Sequence, residues 1–125
     1  QERGQLFHLA KISSPDLRAL YNRAEAVICP SLSEGFDLSG IEAMLSGGAV
    51  VASDIPVHRE VYGNNAEYFS PYSVMQCANA IERVIHPDNF ENAKKLRLNG
   101  PKHGEQYKQE NIAPKWHEFF KSNIN

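Results

Sequence analysis

Short apolar runs alternate along the chain with stretches whose apolar residues recur every three to four positions, and the two rhythms predict strands and helices in turn. Gln5 to Ala10 reads as a strand. Ser14-Pro15-Asp16 then supplies an N-cap, a first-turn proline and an acid at the positive end of a helix carrying Leu17, Leu20, Tyr21 and Ala24. Ala26 to Cys29, stopped by Pro30, suits a strand buried on both faces. After a loop from Ser31 to Leu38, Ser39-Gly40-Ile41-Glu42 has the form of a capping box, opening a helix that closes at Gly47-Gly48. Ala49 to Ser53 is a second buried-type strand, Asp54-Ile55-Pro56 a turn, and Glu67 to Phe69 a third strand. Val74, Cys77, Ala78, Ile81, Val84 and Ile85 mark an amphipathic helix. A polar helix follows over Asn89 to Asn99, with Gly100-Pro101 expected to break or kink it. Ile112, Trp116, Phe119 and Phe120 form one stripe on a terminal helix. This alternation predicts an α/β fold, a Rossmann-like parallel sheet with flanking helices. Ligands of such sheets bind beyond the carboxyl ends of the strands, where the loop after Cys29 lies.

Composition narrows the function classes. At 125 residues, 42% hydrophobic and 22% charged, the chain is one globular unit rather than disordered, collagenous or coiled-coil. Thirteen basic against fifteen acidic residues leave none of the basic excess of a nucleic-acid binder. No apolar run approaches the ~18 residues of a membrane span. Two cysteines, Cys29 and Cys77, make no disulfide framework, so a reduced, cytoplasmic setting is expected. The five histidines show no ligand spacing, and no metal site is expected.

The chemistry concentrates between Ser33 and Glu42. Gly35 lets the backbone turn tightly or approach a ligand closely. The helix opening near Ser39 offers free N–H groups and a positive end to phosphate or sugar oxygens. Glu34 and Glu42, as ionised carboxylates, can each accept several hydrogen bonds from hydroxyl pairs. On spacing alone, Ser39 and Glu42 serve equally well as a helix cap, and Glu34 as a solvated loop acid.

A longer pattern shifts that balance. Pro30-Ser31, Glu34, seven residues, then Glu42-Ala43-Met44, Gly47-Gly48, Val50-Val51, Ser53 to Pro56 and Arg59-Glu60-Val61 follow one another in register. The run resembles the signature of retaining GT-B glycosyltransferases of family 4, the group 1 transferases, and the likeness extends from about Leu6 to Ile85. It implies that the chain, over 1–125, is the nucleotide-sugar-binding C-terminal domain, where Glu34 faces the donor sugar as the catalytic residue. The backbone N–H groups of Gly35, Phe36, Asp37, Leu38 and Ser39 would hold donor oxygens, and Glu42 the ribose diol. The implied activity moves a hexose from a GDP-mannose or UDP-glucose type of donor to a glycan or lipid-linked acceptor, as in lipopolysaccharide synthesis. No metal or other cofactor is implied, and contact with the inner membrane surface is compatible with such enzymes.

Two departures from the pattern matter. Many members have Gly-Phe-Gly-Leu-Pro where this chain has Gly35-Phe36-Asp37-Leu38-Ser39, so Asp37 brings a carboxylate beside the expected sugar pocket. Moreover, no lysine or arginine stands between Arg23 and Arg59, and a helix end supplies only about half a charge against a departing diphosphate. The chain is therefore expected to lack its first strands and the N-terminal acceptor domain, to be inactive alone, and to self-associate or require the remainder of the enzyme. The competing reading is a non-catalytic sugar-nucleotide-binding or scaffold module of the same fold. A GT-B epimerase fits the glutamate spacing less well. Ser53, Asp54 and His58 can be drawn as a hydrolase triad, but no Gly-x-Ser-x-Gly elbow supports it. Arg59 is read as a salt-bridge partner of a neighbouring acid rather than a phosphate ligand.

Overall fold

The computed structural model describes residues 6–124. Three parallel strands, β1 (Val27–Cys29), β2 (Val50–Ser53) and β3 (Glu67–Phe69), lie in the order β1-β2-β3. Val27 pairs with Val50 and Cys29 with Ala52, while Val51 pairs with Glu67 and Ser53 with Phe69. Six helices surround them: α1 (Ser14–Arg23), α2 (Leu38–Leu45), α3 (Pro56–Tyr62), α4 (Val74–Ile85), α5 (Phe90–Gly104) and α6 (Gln109–Asn123).

Every residue of β2 is buried, as its apolar run requires, and its side chains alternate between two cores. Val50 and Ala52 join Ile41, Ala43 and Met44 of α2 and Val61 and Tyr62 of α3. Val51 faces the other way, with Phe69, Ala80 and Val84 of β3 and α4 and Leu96 of α5. β1 differs from expectation: only Cys29 is buried, because the strand is at an edge of this sheet and has a neighbour on one side only among the described residues.

Other boundaries move for local reasons. Residues 6–10 form no strand, and Gln5 lies outside the described residues. The cap of α1 is Ser13 rather than Ser14: its Oγ accepts from the Asp16 amide at 3.3 Å and donates to the Asp16 carboxylate at 2.6 Å. No capping box opens α2, since its N-cap is Asp37 in a left-handed conformation (φ 65°), not Ser39. Its end is as expected, with Gly47 at φ 79° and the Gly47 and Gly48 amides closing on Met44 and Ala43. α5 runs unbroken through Gly100-Pro101. Proline forfeits one backbone hydrogen bond there, but Gly100 and Gly104 let α5 lie directly against Met44 and Leu45 of α2, and that packing keeps the helix intact. α6 carries its aromatic stripe on the surface: Trp116 stacks on Phe120, Phe119 meets both rings edge-on, and each is about half exposed. Among the described residues no helix is long and apolar enough to cross a membrane.

Candidate functional site

The residues singled out in the sequence lie on the loop beyond the carboxyl end of β1 and on the first turns of α2. Glu34 is exposed at the outer side of the loop, where its carboxylate accepts from Ser31 Oγ at 2.7 Å. Gly35 is also exposed; its φ is not in the left-handed region, and a Cβ placed on it would meet nothing within 4 Å. Neither backbone conformation nor packing thus requires glycine at this position. Phe36 turns inward and meets the Tyr107 ring edge-on at 5.1 Å. Leu38 and Ser39 are exposed on the first turn of α2.

Asp37 is the pivot of the loop. Its left-handed φ is one that glycine adopts freely and aspartate tolerates, which accounts for a glycine being common at this position in the family pattern. Its side chain is only 6% exposed and points inward. One carboxylate oxygen accepts from Tyr62 Oη at 2.6 Å and lies 3.1 Å from His58 Nε2, while the other accepts from Ser39 Oγ. Burial pushes the carboxyl up, but the Ser39 and Tyr62 hydroxyls, the neighbouring His58 and the Gly40 amide outweigh it and hold Asp37 below the ordinary carboxylate range. The Tyr62 hydroxyl is driven far up, by burial first and then by Asp37, so it remains a donor.

His58 and Tyr62, both fully buried on α3, stack at 5.0 Å. His58 Nδ1 lies 2.8 Å from the Ser53 carbonyl, which can only accept, so that nitrogen donates and the other is directed at Asp37. The triad drawn from Ser53, Asp54 and His58 does not form: Asp54 pairs with Arg59, and the carboxylate facing His58 is that of Asp37. Nor is Ser53 a nucleophile: it is fully buried, and its hydroxyl donates to the Ser31 carbonyl at 2.5 Å. Burial similarly pushes the Cys29 thiol up to about 12 and makes it inert.

Glu42 stands on the opposite side of α2 from this network. Its exposed carboxylate has no hydrogen bond or ion pair among the described residues, and it lines an open cleft of about 810 Å³. Leu17, Arg18 and Tyr21 of α1 and Lys108, just before α6, share that cleft. The segment without cations thus acquires three from flanking elements, Arg18 and Arg23 of α1 and Lys108, the last already paired with Glu105 at 2.6 Å. Sequence spacing gave no sign of this, nor of the His58 and Tyr62 support. Glu34 does not line the cleft. Arg59 pairs with Asp54 through two bonds of 2.7 Å and lies 3.8 Å over the Tyr68 ring, as a salt bridge rather than a free anion ligand. Among the described residues no three of His, Cys, Asp and Glu converge as a metal site.

Comparison with known proteins follows the same segment. A family model described as glycosyl transferases group 1 matches residues 2–103. The O-antigen chain mannosyltransferase RfbU of Salmonella typhimurium is 41% identical over 76 residues, 61% of this chain and 22% of that protein. The serotype-specific mannosyltransferase WbdA of Escherichia coli is 35% identical over 88 residues, 70% of this chain and 11% of its own length. An MMP α-(1→4)-mannosyltransferase of Mycolicibacterium hassiacum is 35% identical over 92 residues, 71% of this chain and 22% of the relative. The chain thus spans less than a quarter of the length of each of these relatives.

Proposed function

The chain belongs to the group 1 glycosyl transferases, and from that premise we propose that it binds the sugar-nucleotide donor of a retaining hexosyltransferase. The names of the relatives favour mannose as the hexose, and that of the O-antigen chain enzyme favours a glycan as the acceptor. Their greater length favours an acceptor-binding domain supplied by the remainder of such an enzyme. The observation that carries the reading is Glu42: a carboxylate without an ion pair among the described residues, in an open cleft that Arg18 and Arg23 also line. A carboxylate there accepts two hydrogen bonds from a ribose diol, and the cations meet the negative charge of the diphosphate.

In this reading the amides of Gly35 to Leu38 hold sugar and phosphate oxygens, assisted by the positive end of α2. Glu34 orients the sugar hydroxyls. The departing diphosphate is balanced by side-chain cations and the helix end, with no resident metal. Glu34 is assigned to hydroxyls, so no covalent glycosyl-enzyme is invoked. Because Glu42 takes no part in capping α2, its removal separates binding from folding. Glu42→Ala is expected to weaken nucleoside diphosphate binding by about 1–3 kcal/mol, read by titration calorimetry, with the melting temperature nearly unchanged. Unchanged affinity would remove Glu42, and with it the donor assignment of the cleft.

A further inference from the structure

We propose that His58 and Tyr62 are positioning residues for the donor sugar: through Asp37 they hold the Glu34–Leu38 loop, from inside the protein, in the one shape that presents Glu34 and the loop amides together. The inference rests on the donor reading above and adds to it a support that lies wholly outside the ligand's reach.

Three observations carry it. First, the loop is pinned at a residue in a left-handed conformation, which aspartate tolerates at a modest cost that its contacts offset. Those contacts are the Tyr62 hydroxyl at 2.6 Å and His58 Nε2 at 3.1 Å. Second, the support is rigid. Both rings are fully buried, they stack on each other, and His58 is fixed at its far side by the Ser53 carbonyl. Ser53 in turn donates to the Ser31 carbonyl, so the start of the loop and its pivot are tied to the same strand end. Third, the loop has little else to hold it. Apart from Phe36, residues 32–35 and Leu38 are exposed, and the one side-chain bond of Glu34 is to Ser31 within the same loop. Loss of the inner support therefore frees the sugar-facing amides. Glu42, which faces the cleft from the other side of α2, is spared.

That separation gives the test. In the full chain, Tyr62→Phe removes one hydroxyl and keeps the ring, and His58→Gln keeps a donor of different reach. Affinities for GDP-mannose and for GDP are measured by titration calorimetry, together with hydrogen exchange at the amides of residues 34–38 and of β2. In both variants GDP-mannose is expected to lose at least fivefold more affinity than GDP, which keeps Glu42 and the cleft cations and loses only the phosphate share of the loop amides. Exchange at residues 34–38 is expected to quicken at least fivefold while β2 stays protected. A role in folding alone would lower both affinities together and quicken exchange in β2 as well, and that result overturns the proposal, as does an unchanged ratio of the two affinities. A parent chain that binds neither nucleotide even within the complete enzyme refutes the donor reading itself. The exchange measurement then decides the support alone: quickening confined to residues 34–38 upholds it, and any other pattern overturns it.

Discussion

Gly40 is where the support of the loop is most exposed to a single methyl group. A Cβ there would lie 2.0 Å from Tyr62 Oη and 2.4 Å from its Cζ, far inside any tolerated contact. Tyr62 is fully buried and cannot swing into solvent. Gly40→Ala must therefore push the ring back and pull its hydroxyl off Asp37. Displaced packing costs roughly 1–3 kcal/mol. A lost hydrogen bond to a charged acceptor adds about 1.5–3 kcal/mol. Against these, alanine gains about 1 kcal/mol over glycine inside a helix. The sum is a net loss of roughly 1.5–5 kcal/mol, opposite in sign to what helix propensity alone gives. Urea unfolding measures it directly. The cause is isolated by repeating the change in a Tyr62→Leu background, where the clashing atoms are gone and Gly40→Ala should become neutral or stabilising. An unchanged or raised stability in the parent background, or an equal loss in both, would refute the close approach of Tyr62 to α2.

Two further outcomes follow from other contacts. Asp37 is held below the ordinary carboxylate range, so its contribution to stability is complete above the unfolded value near pH 4 and is lost as pH falls through its lower folded value. The stability gap between the parent and Asp37→Asn should accordingly shrink as pH falls below about 4; a gap that does not shrink there would contradict the ionised carboxylate. Arg97 donates to the carbonyls of Asn22, Ala24, Glu25 and Gly47 at 2.6–3.2 Å. Lysine cannot span four acceptors, so Arg97→Lys should cost about 2–3 kcal/mol in urea unfolding, and a cost under about 0.5 kcal/mol would deny the clamp.

The sequence was most legible where local pattern and burial agree. The apolar run of β2, the aromatic pair of β3 and the amphipathic stripe of α4 all lie where periodicity places them. The Gly47-Gly48 stop of α2 is legible for the same reason, since the chemistry of a helix end is local. α5 was misjudged at Gly100-Pro101 because the packing that carries it past the proline comes from α2, more than fifty positions earlier. Ser39 and Glu42 matched a capping box by spacing, yet the backbone at Asp37 had already turned left-handed and made that residue the cap. The segment from Glu34 to Glu42 stood out in the sequence, whereas its inner support did not. Asp37 meets His58 and Tyr62 across 21 and 25 positions, and bonds of that reach leave no period to read. The cleft cations escaped for the same reason: Arg18 and Lys108 flank Glu42 only after folding.

The clamp made by Arg97 also orders events in time. Its guanidinium closes on the ends of α1 and α2, and Ala24, its tightest partner, lies 73 positions earlier. During synthesis at about 5–20 residues per second, the ribosome takes about 4–15 s to reach Arg97 after making Ala24. Through that interval the ends of α1 and α2 exist without the side chain that ties them together. α5, whose glycines seat Met44 and Leu45, is also still incomplete. The loop is thus made well before the side chain that secures the elements on either side of it. A nascent chain stalled before residue 97 should therefore be cut by protease between Ser31 and Leu38, and one released after α5 has emerged should resist.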